Sequence, residues 1–294
     1  MLMRQRNLEL IKGLDKRILS LGIVQDNGKP IWYNDLYITA QGQTWSNTVE
    51  GQCMITVINL PKSLRNSILS NTKPMAFAIK PHVQVILKAG RESGGAGIIY
   101  VGDVFRTFQT YKPNVGIQFK CTSGYYQKFQ PVTRSLDKMT TFKNICALVA
   151  KDNNLKLDFK ITDFNVKSYS FSGTVRDEFR HLEDICTKCF VRVDYETGTL
   201  HVINPSKYKE TPEAFIVSAA SGLLTITCTD TGVEFEMLYT PSIDLYSFVK
   251  IESEINPTLN GLYFVNERAF SLTSRDTDFN LKVKAILPTA DYFQ

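Results

Sequence analysis

The residues best equipped for chemistry are Cys186 and Cys189, a C-x-x-C with His181 and His201 in the same stretch. Two thiolates and two imidazoles could hold zinc, and a C-x-x-C could cycle between dithiol and disulfide. The spacing argues against both. No second C-x-x-C completes a four-ligand set, and redox pairs of this form open a helix, whereas this one closes a helical pattern. Val175, Phe179, Leu182, Ile185, Cys186 and Cys189 fall on one stripe of an amphipathic helix expected over 174–189, which puts both thiols in a core. The six cysteines, at 53, 121, 146, 186, 189 and 228, all lie in apolar phrases and are expected as buried, reduced thiols.

Two further arrangements invite a reaction. Asp177-Glu178 and Glu183-Asp184 could flank a glycosidic bond as general acid and base. Their place opposite the apolar stripe reads equally as a solvated helix face. The run Ser93-Gly94-Gly95-Ala96-Gly97 could cradle a phosphate, but that chemistry needs a helix N-terminus directly after the loop, and a strand pattern follows. With three histidines in all, no nucleophile elbow and no H-E-x-x-H, no catalytic, cofactor-binding or metal-binding residue is assigned.

The elements around these residues are mostly strands. The chain has 294 residues, which suits two domains or one domain with an insertion. Its net charge of +5 is dispersed beyond Met3-Arg4-Gln5-Arg6, so no specific nucleic-acid binding is expected. No apolar stretch approaches the roughly 20 residues that cross a bilayer, so no membrane anchor is expected. The first residues lack the order of a secretory signal, and the chain is expected to stay in the cytoplasm where it is made.

From 7 to about 130 the pattern alternates. Strands are expected over 7–24, 36–39 and 49–58, where Val49, Cys53, Ile55 and Val57 take one side and Met54, Thr56 and Ile58 the other. Asp26-Asn27-Gly28-Lys29 marks a hairpin, Asn59-Leu60-Pro61 a stop, and 62–70 a short helix carrying Leu64, Ile68 and Leu69. Strands over 83–91 and 98–104 flank the glycine-rich turn. Residues 131–205 read as a small α/β insert, with a helix over 141–152 stopped by Asn153-Asn154, and a second helix begun by Thr174 with Asp177 as a capping box. A hairpin turning at Glu196-Thr197-Gly198 closes it. Strands return from 206 to 294.

An internal repeat links the outer regions. Gly97-Ile98-Ile99-Tyr100-Val101-Gly102-Asp103 matches Gly261-Leu262-Tyr263-Phe264-Val265-Asn266-Glu267 without a gap, and at the same offset of 164 Ile117, Phe119 and Cys121 fall on Leu281, Val283 and Ala285. Two matches at one offset predict two related β units separated by the insert.

The order of phrases resembles the baseplate hub proteins of contractile-tailed bacteriophages. Asn47 to Leu60 is similar to that family's Asn-Thr-x-x-Ile-x-Ile-x-Asn-Leu phrase. Residues 83–104 are similar to its apolar strand, Ala-Gly-Tyr turn and Phe-x-Gly-Asp strand, with Arg91 for the usual Tyr and Tyr100-Val101-Gly102-Asp103 at the second site. Residues 141–155 and 179–203 resemble the insert, Gly222-Leu223-Leu224 the turn entering the second barrel, and 241–251 with 260–265 the closing strands. The resemblance implies a mainly β fold with a small α/β insert and two tail-tube-like β-barrels, divided as 1–130, 131–205 and 206–294. It implies a structural, non-enzymatic homotrimer with pseudo-sixfold symmetry that joins the tail tube, or a tube-initiator protein, to the central spike. Tape-measure and baseplate wedge proteins are further candidate partners. The place implied is the tail baseplate of a virion assembled in the host cytoplasm. Two alternatives stay open: a peptidoglycan-degrading hub enzyme, and the spike-base component of a contractile secretion or injection system.

Overall fold

The computed structural model describes residues 16–24, 28–45, 51–71, 83–110, 114–136, 138–187, 189–204 and 214–288. The expected strand start at 7–15, the basic run at 3–6, the turn residues Asp26 and Asn27, the phrase 46–50 and the insert's exit at 205–213 lie outside them.

Alternation builds the first region as expected. Strands β1 (Arg17–Val24) and β2 (Pro30–Tyr33) form an antiparallel hairpin, and β3 (Tyr37–Trp45) runs well beyond the short extended segment expected there. In β4 (Gln52–Ile58), Cys53, Ile55 and Val57 are buried, while Met54, Thr56 and Ile58 face the other side. Asn59 leaves the strand at φ +64°, a left-handed position that asparagine tolerates. Helix α1 (Lys62–Asn71) follows and buries Ile68. Strands β5 (Gln84–Arg91) and β6 (Gly95–Gln109) pair around the glycine-rich turn, where a Cβ on Gly90 would lie 2.0 Å from the Gly95 carbonyl oxygen. These glycines are hairpin residues. Strand β7 (Gly116–Thr122) completes the region.

The insert holds β8 (Pro131–Leu136), β9 (Thr140–Thr141), α2 (Phe142–Asp152), β10 (Lys156–Lys160), β11 (Asn165–Val166), β12 (Tyr169–Thr174), α3 (Val175–Ile185), β13 (Phe190–Asp194) and β14 (Thr199–Ile203). Its core gathers Phe142, Ile145, Val149, Phe179, Leu182 and Val202. Thr141 caps α2, Asn154 follows it at φ +55°, and the Thr174 hydroxyl accepts from the Asp177 amide at 3.3 Å to cap α3. Helix α3 stops short of the expected 189. The chain leaves helical geometry at Cys186, at φ −97° and ψ 78°, so that β13 can join β14 four residues later.

The last region comprises β15 (Ala214–Ser218), β16 (Leu223–Cys228), β17 (Gly232–Leu238), β18 (Phe248–Glu252), β19 (Gly261–Thr273) and β20 (Phe279–Ile286). Gly222, at φ +98°, turns into β16 as expected, but 241–247 is loop and the closing strand starts only at Phe248. One sheet of 13 strands spans both outer regions in the order β16-β17-β20-β19-β3-β4-β7-β6-β5-β1-β2, with β18 on β19 and β15 on β18. Its main core draws on Leu21, Ile55 and Phe119 from the first region and Phe235, Leu281 and Val283 from the last.

The sheet contains the same five-strand ladder twice, β3-β4-β7-β6-β5 and β16-β17-β20-β19-β18. Cys53 faces Cys121 as Val233 faces Ala285, and both long strands carry a one-residue bulge just after a valine, at Phe105 and Asn266. The register corrects the sequence alignment. Cys121 and Ala285 keep the offset of 164, but Val104 and Val265, their partners across the ladder, are offset by 161. Likewise Leu87 faces Tyr100 and Ile251 faces Gly261, so Gly261 is the counterpart of Tyr100, not of Gly97. Gly-apolar-aromatic phrases are forgiving in a strand, and a three-residue slip keeps the similarity while changing the pairing.

Candidate functional site

Two places concentrate polar side chains. The first is a junction of the three regions. Arg268 on β19 is 3% exposed, and its Nη2 donates to the Ile99 carbonyl of β6 at 3.1 Å and to both Glu196 oxygens at 3.2 Å. Its Nη1 pairs with Asp244 Oδ1 at 2.7 Å. The β13–β14 turn presents Glu196: Asp194 Oδ1 accepts from the Glu196 and Thr197 amides at 2.8 and 3.3 Å, and Gly198 closes the turn at φ +66°. Burial is the largest influence on Glu196 and pushes its carboxyl up to about 7, with Arg268 opposing and Asp244 and Asp194 reinforcing. Burial works to lower Arg268, but Asp244 and Glu196 outweigh it and hold the guanidinium above its ordinary value. One cation thus ties one carbonyl and two carboxylates from three parts of the chain. Such a cluster fixes relative orientation.

The second place is the sheet face opposite the core. Across β17, β20 and β19 it carries Lys282 on Glu234 at 2.6 Å, Lys284 on Glu267 at 3.1 Å, and Asn280 donating to Glu236 at 2.9 Å. Gln43 on β3 donates to Glu267, and Gln118 on β7 donates to Thr56 at 3.2 Å. A groove of about 580 Å³ crosses this face where β3, β4, β19 and β20 meet, lined by Gln41, Gln52, Met54, Lys120, Ser271 and Lys282 among others. Asn280 and Glu236 pair within it across β20 and β17. Among its lining residues no nucleophile stands beside a general base.

The residues singled out in the sequence do not converge. Cys186 and Cys189 are joined in a disulfide, 2.09 Å between sulfurs, and both are buried in the insert core; this corrects the expectation of reduced thiols. Cys53, Cys121 and Cys146 are free and buried as expected, but Cys228 is exposed because β16 lies at the sheet's end. The histidines part company. His181 stacks on Phe171 at 5.4 Å, while His201 Nδ1 meets Asp158 at 2.9 Å and its ring packs on Tyr246 at 4.7 Å. Among the described residues no cluster of three or more His, Cys, Asp or Glu side chains is arranged to hold a metal ion.

The acidic pairs also divide. Asp177 is exposed, but Glu178 is fully buried, accepting from Arg134 Nε at 2.8 Å and from the Tyr169 hydroxyl at 3.1 Å. Its place on a solvated face was the wrong expectation. Arg134 is the reason, because it reaches from β8 to Glu178 and to Asp152 at 2.7 Å, and the hydrogen bond it donates to Glu178 is the main cause holding its guanidinium above its ordinary value. No spacing in the sequence announces this contact between residues 44 positions apart. Nor does any announce Arg268, whose partners come from three distant phrases.

A baseplate hub family model, described as Baseplate hub gp41, matches residues 18–285. The chain belongs to this family. It is a structural baseplate hub protein of a phage tail, mainly β in fold. No curated protein sequence matches it. Among solved structures, the hub chain is similar to a tail protein from Neisseria meningitidis MC58, at 8% identity and a TM-score of 0.63, over 92% of this chain and 99% of that one. It is similar also to the 43 kDa tail protein of prophage MuSo2 from Shewanella oneidensis, at 11% identity and a TM-score of 0.61, over 95% and 100%. A third likeness, at 8% identity and a TM-score of 0.56 over 85% and 73%, is to the E. coli c3393 protein, a component of the type VI secretion system described as similar to the T4 bacteriophage tail proteins gp27 and gp5. At these identities the likeness is one of fold. Among the described residues no helix of the hub is long and apolar enough to cross a membrane.

Proposed function

We propose that three copies of this hub close a ring around a central channel and adapt a sixfold tail tube to the threefold central spike. The repeated five-strand ladder carries this reading. A threefold ring of single units would meet a sixfold tube with mismatched surfaces, whereas two related units per chain give six quasi-equivalent positions with closed symmetry. In this reading residues 1–130 and 206–294 each curl into a tube-like barrel that hides strand edges, and 131–205 sits outside them. The polar groove face turns toward the channel, where a hydrated wall lets cargo pass without sticking. The tail tube or a tube initiator docks at one end and the spike at the other, with tape-measure and wedge proteins as outer neighbours. Assembly takes place in the host cytoplasm.

The hub has no catalytic step in this reading. Glu178, half of one acidic pair, is sealed by Arg134 and Tyr169, which is a structural use of a carboxylate. A zymogram on cell-wall material tests this: no clearing zone is expected, and a zone lost in Glu183→Gln would restore the enzyme reading. The likeness to the E. coli secretion-system component favours one second reading, the same adaptor at the spike base of an injection device. The particle that contains the chain separates the two. Reconstruction of the assembled tail tip tests the ring itself. Three copies around a channel are expected, and six copies at the hub position would overturn the proposal.

A further inference from the structure

The two ladders fill their cores alike, but the opposite face differs between them. The shared bulge and pairing make Phe105 the counterpart of Asn266, Arg106 of Glu267, Phe108 of Ala269 and Lys120 of Lys284. In the second unit this face is neutralised within itself, because Lys284 lies 3.1 Å from Glu267 and 3.8 Å from Glu234, and Lys282 meets Glu234 at 2.6 Å. The first unit has no such balance. Met54 and Thr56 stand where the second unit has Glu234 and Glu236, and Arg106 directly faces Lys120 across β6 and β7.

Like charges set opposite each other in a ladder oppose folding, so something must hold them. Here it is an aromatic ring. The Arg106 guanidinium carbon lies 5.0 Å and the Lys120 Nζ 5.6 Å from the centroid of Phe108, and among the described residues neither cation has an ion pair. Phe105, the bulge residue, stacks on Tyr125 at 5.2 Å, and Tyr125 meets Phe129, 58% exposed, at 5.8 Å. Phe105, Lys120 and Met54 also line the groove. The first unit therefore presents cations and rings beside an open groove, where the second presents closed ion pairs.

We propose that this patch seats an acidic, extended segment of a second protein, one segment per hub chain, with its carboxylates on Arg106 and Lys120 and an aromatic side chain in the groove. Charge decides the acidic character, since two cations without carboxylates are complementary to a segment that brings them. The rings supply the apolar contact. A nucleic acid would also meet cations and rings, and the choice between the two occupants rests on the ring reading above. In a ring the first-unit face alternates with the second-unit face, so a polyanion crossing the wall would meet Glu234, Glu236 and Glu267 at every other position. A protein segment seated once per chain meets only the face that attracts it.

The test measures binding of the purified hub chain, by fluorescence anisotropy, to a labelled peptide of alternating Asp and Trp. The same peptide with Asn for Asp and an oligothymidylate of equal charge serve as rivals. Saturable binding of the Asp-Trp peptide is expected, weakened about tenfold by Arg106→Gln and by less than about twofold by Lys284→Gln at the counterpart position. Phe108→Thr, which keeps a strand-forming residue, should weaken it as well and guards against a folding defect in the first variant. No binding, equal affinity for the Asn-Trp peptide, tighter binding of the oligothymidylate, or equal losses from Arg106→Gln and Lys284→Gln would each overturn the inference. In assembled tail particles, p-benzoylphenylalanine in place of Phe108 should cross-link under ultraviolet light to an acidic stretch of a different tail protein, mapped by mass spectrometry; intact tips that link only to DNA, only to another hub copy or to nothing would overturn it too. A hub position holding a number of copies other than three overturns the ring reading alone, and the peptide measurement on the isolated chain then decides the patch without it.

Discussion

The two β units fold by one ladder and are used in two ways. In the first, β6 carries Thr107 where its counterpart β19 carries Arg268, and only the second unit therefore clamps the insert through Glu196. In the first, β3 is enclosed; in the second, β16 lies at the end of the sheet. A duplicated unit keeps the core pattern, because the inward residues Cys53, Ile55 and Val57 and their counterparts Val233, Phe235 and Met237 must all fill a close-packed interior. It is free to diverge where each copy meets something different. The departures from the repeat thus mark the junctions, and substitutions there should affect the two units unequally.

The largest expected effect is at Arg268. Arg268→Met removes the cation and leaves Glu196 buried without its partner, which should cost about 3–5 kcal/mol in denaturant unfolding. Thr107→Met, at the counterpart position, should cost far less. Equal losses would mean that the clamp carries no special weight and that the two units differ in sequence alone.

Glu196 gives the clamp a pH dependence. Its carboxyl titrates near 7 in the fold against 4.5 ordinarily, so the folded state holds the proton more tightly than the unfolded chain. Below about 4.5 both states are protonated and nothing is lost. As pH rises toward 7 the unfolded chain ionises first and the fold loses stability, by up to about 3 kcal/mol. Glu196→Gln cannot ionise. The stability difference between Glu196→Gln and the parent should therefore widen in favour of the variant from pH 4.5 to 7 and stay level above, and a flat difference across that range would show the carboxyl to be ordinary.

The insert has its own core, and changes within it should leave the relation of the two units untouched. Cys186→Ser should cost about 1–3 kcal/mol through loss of the bridge and burial of a hydroxyl. Elemental analysis of the parent should find no stoichiometric zinc; one metal per chain would return the C-x-x-C to the role that its histidine neighbours first suggested.

Much of the fold is legible in the residues. Alternation gave β4, β7 and β20, since one buried face imposes period two, the apolar stripe and the Asn153-Asn154 stop gave α2, and the cap at Thr174 gave the start of α3. What escapes is set by pairing at long range. Helix α3 ends at Ile185 because β13 must reach β14, and Glu178 is buried because Arg134 arrives from β8. The repeat was visible, yet its register was not: strand phrases tolerate a slip of three residues, and only the ladder partners Cys121 and Ala285 resolve it.

The sharpest and smallest contrast lies at one position seen twice. A Cβ on Gly42 would sit 2.3 Å from the Phe270 ring, so Gly42→Ala drives the ring out of its place in the enclosed seam and should cost about 1–3 kcal/mol. Its counterpart Cys228 is exposed on the outer strand of the isolated chain, so Cys228→Ala should change unfolding stability by less than about 0.5 kcal/mol. The difference measures what the seam adds to an otherwise identical ladder position. If both substitutions were silent, the seam between β3 and β19 would be loosely packed, and enclosure would not distinguish the two ladder positions. If Cys228→Ala were as costly as Gly42→Ala in the lone chain, β16 would already be covered within the molecule, and the two units would not differ at this edge.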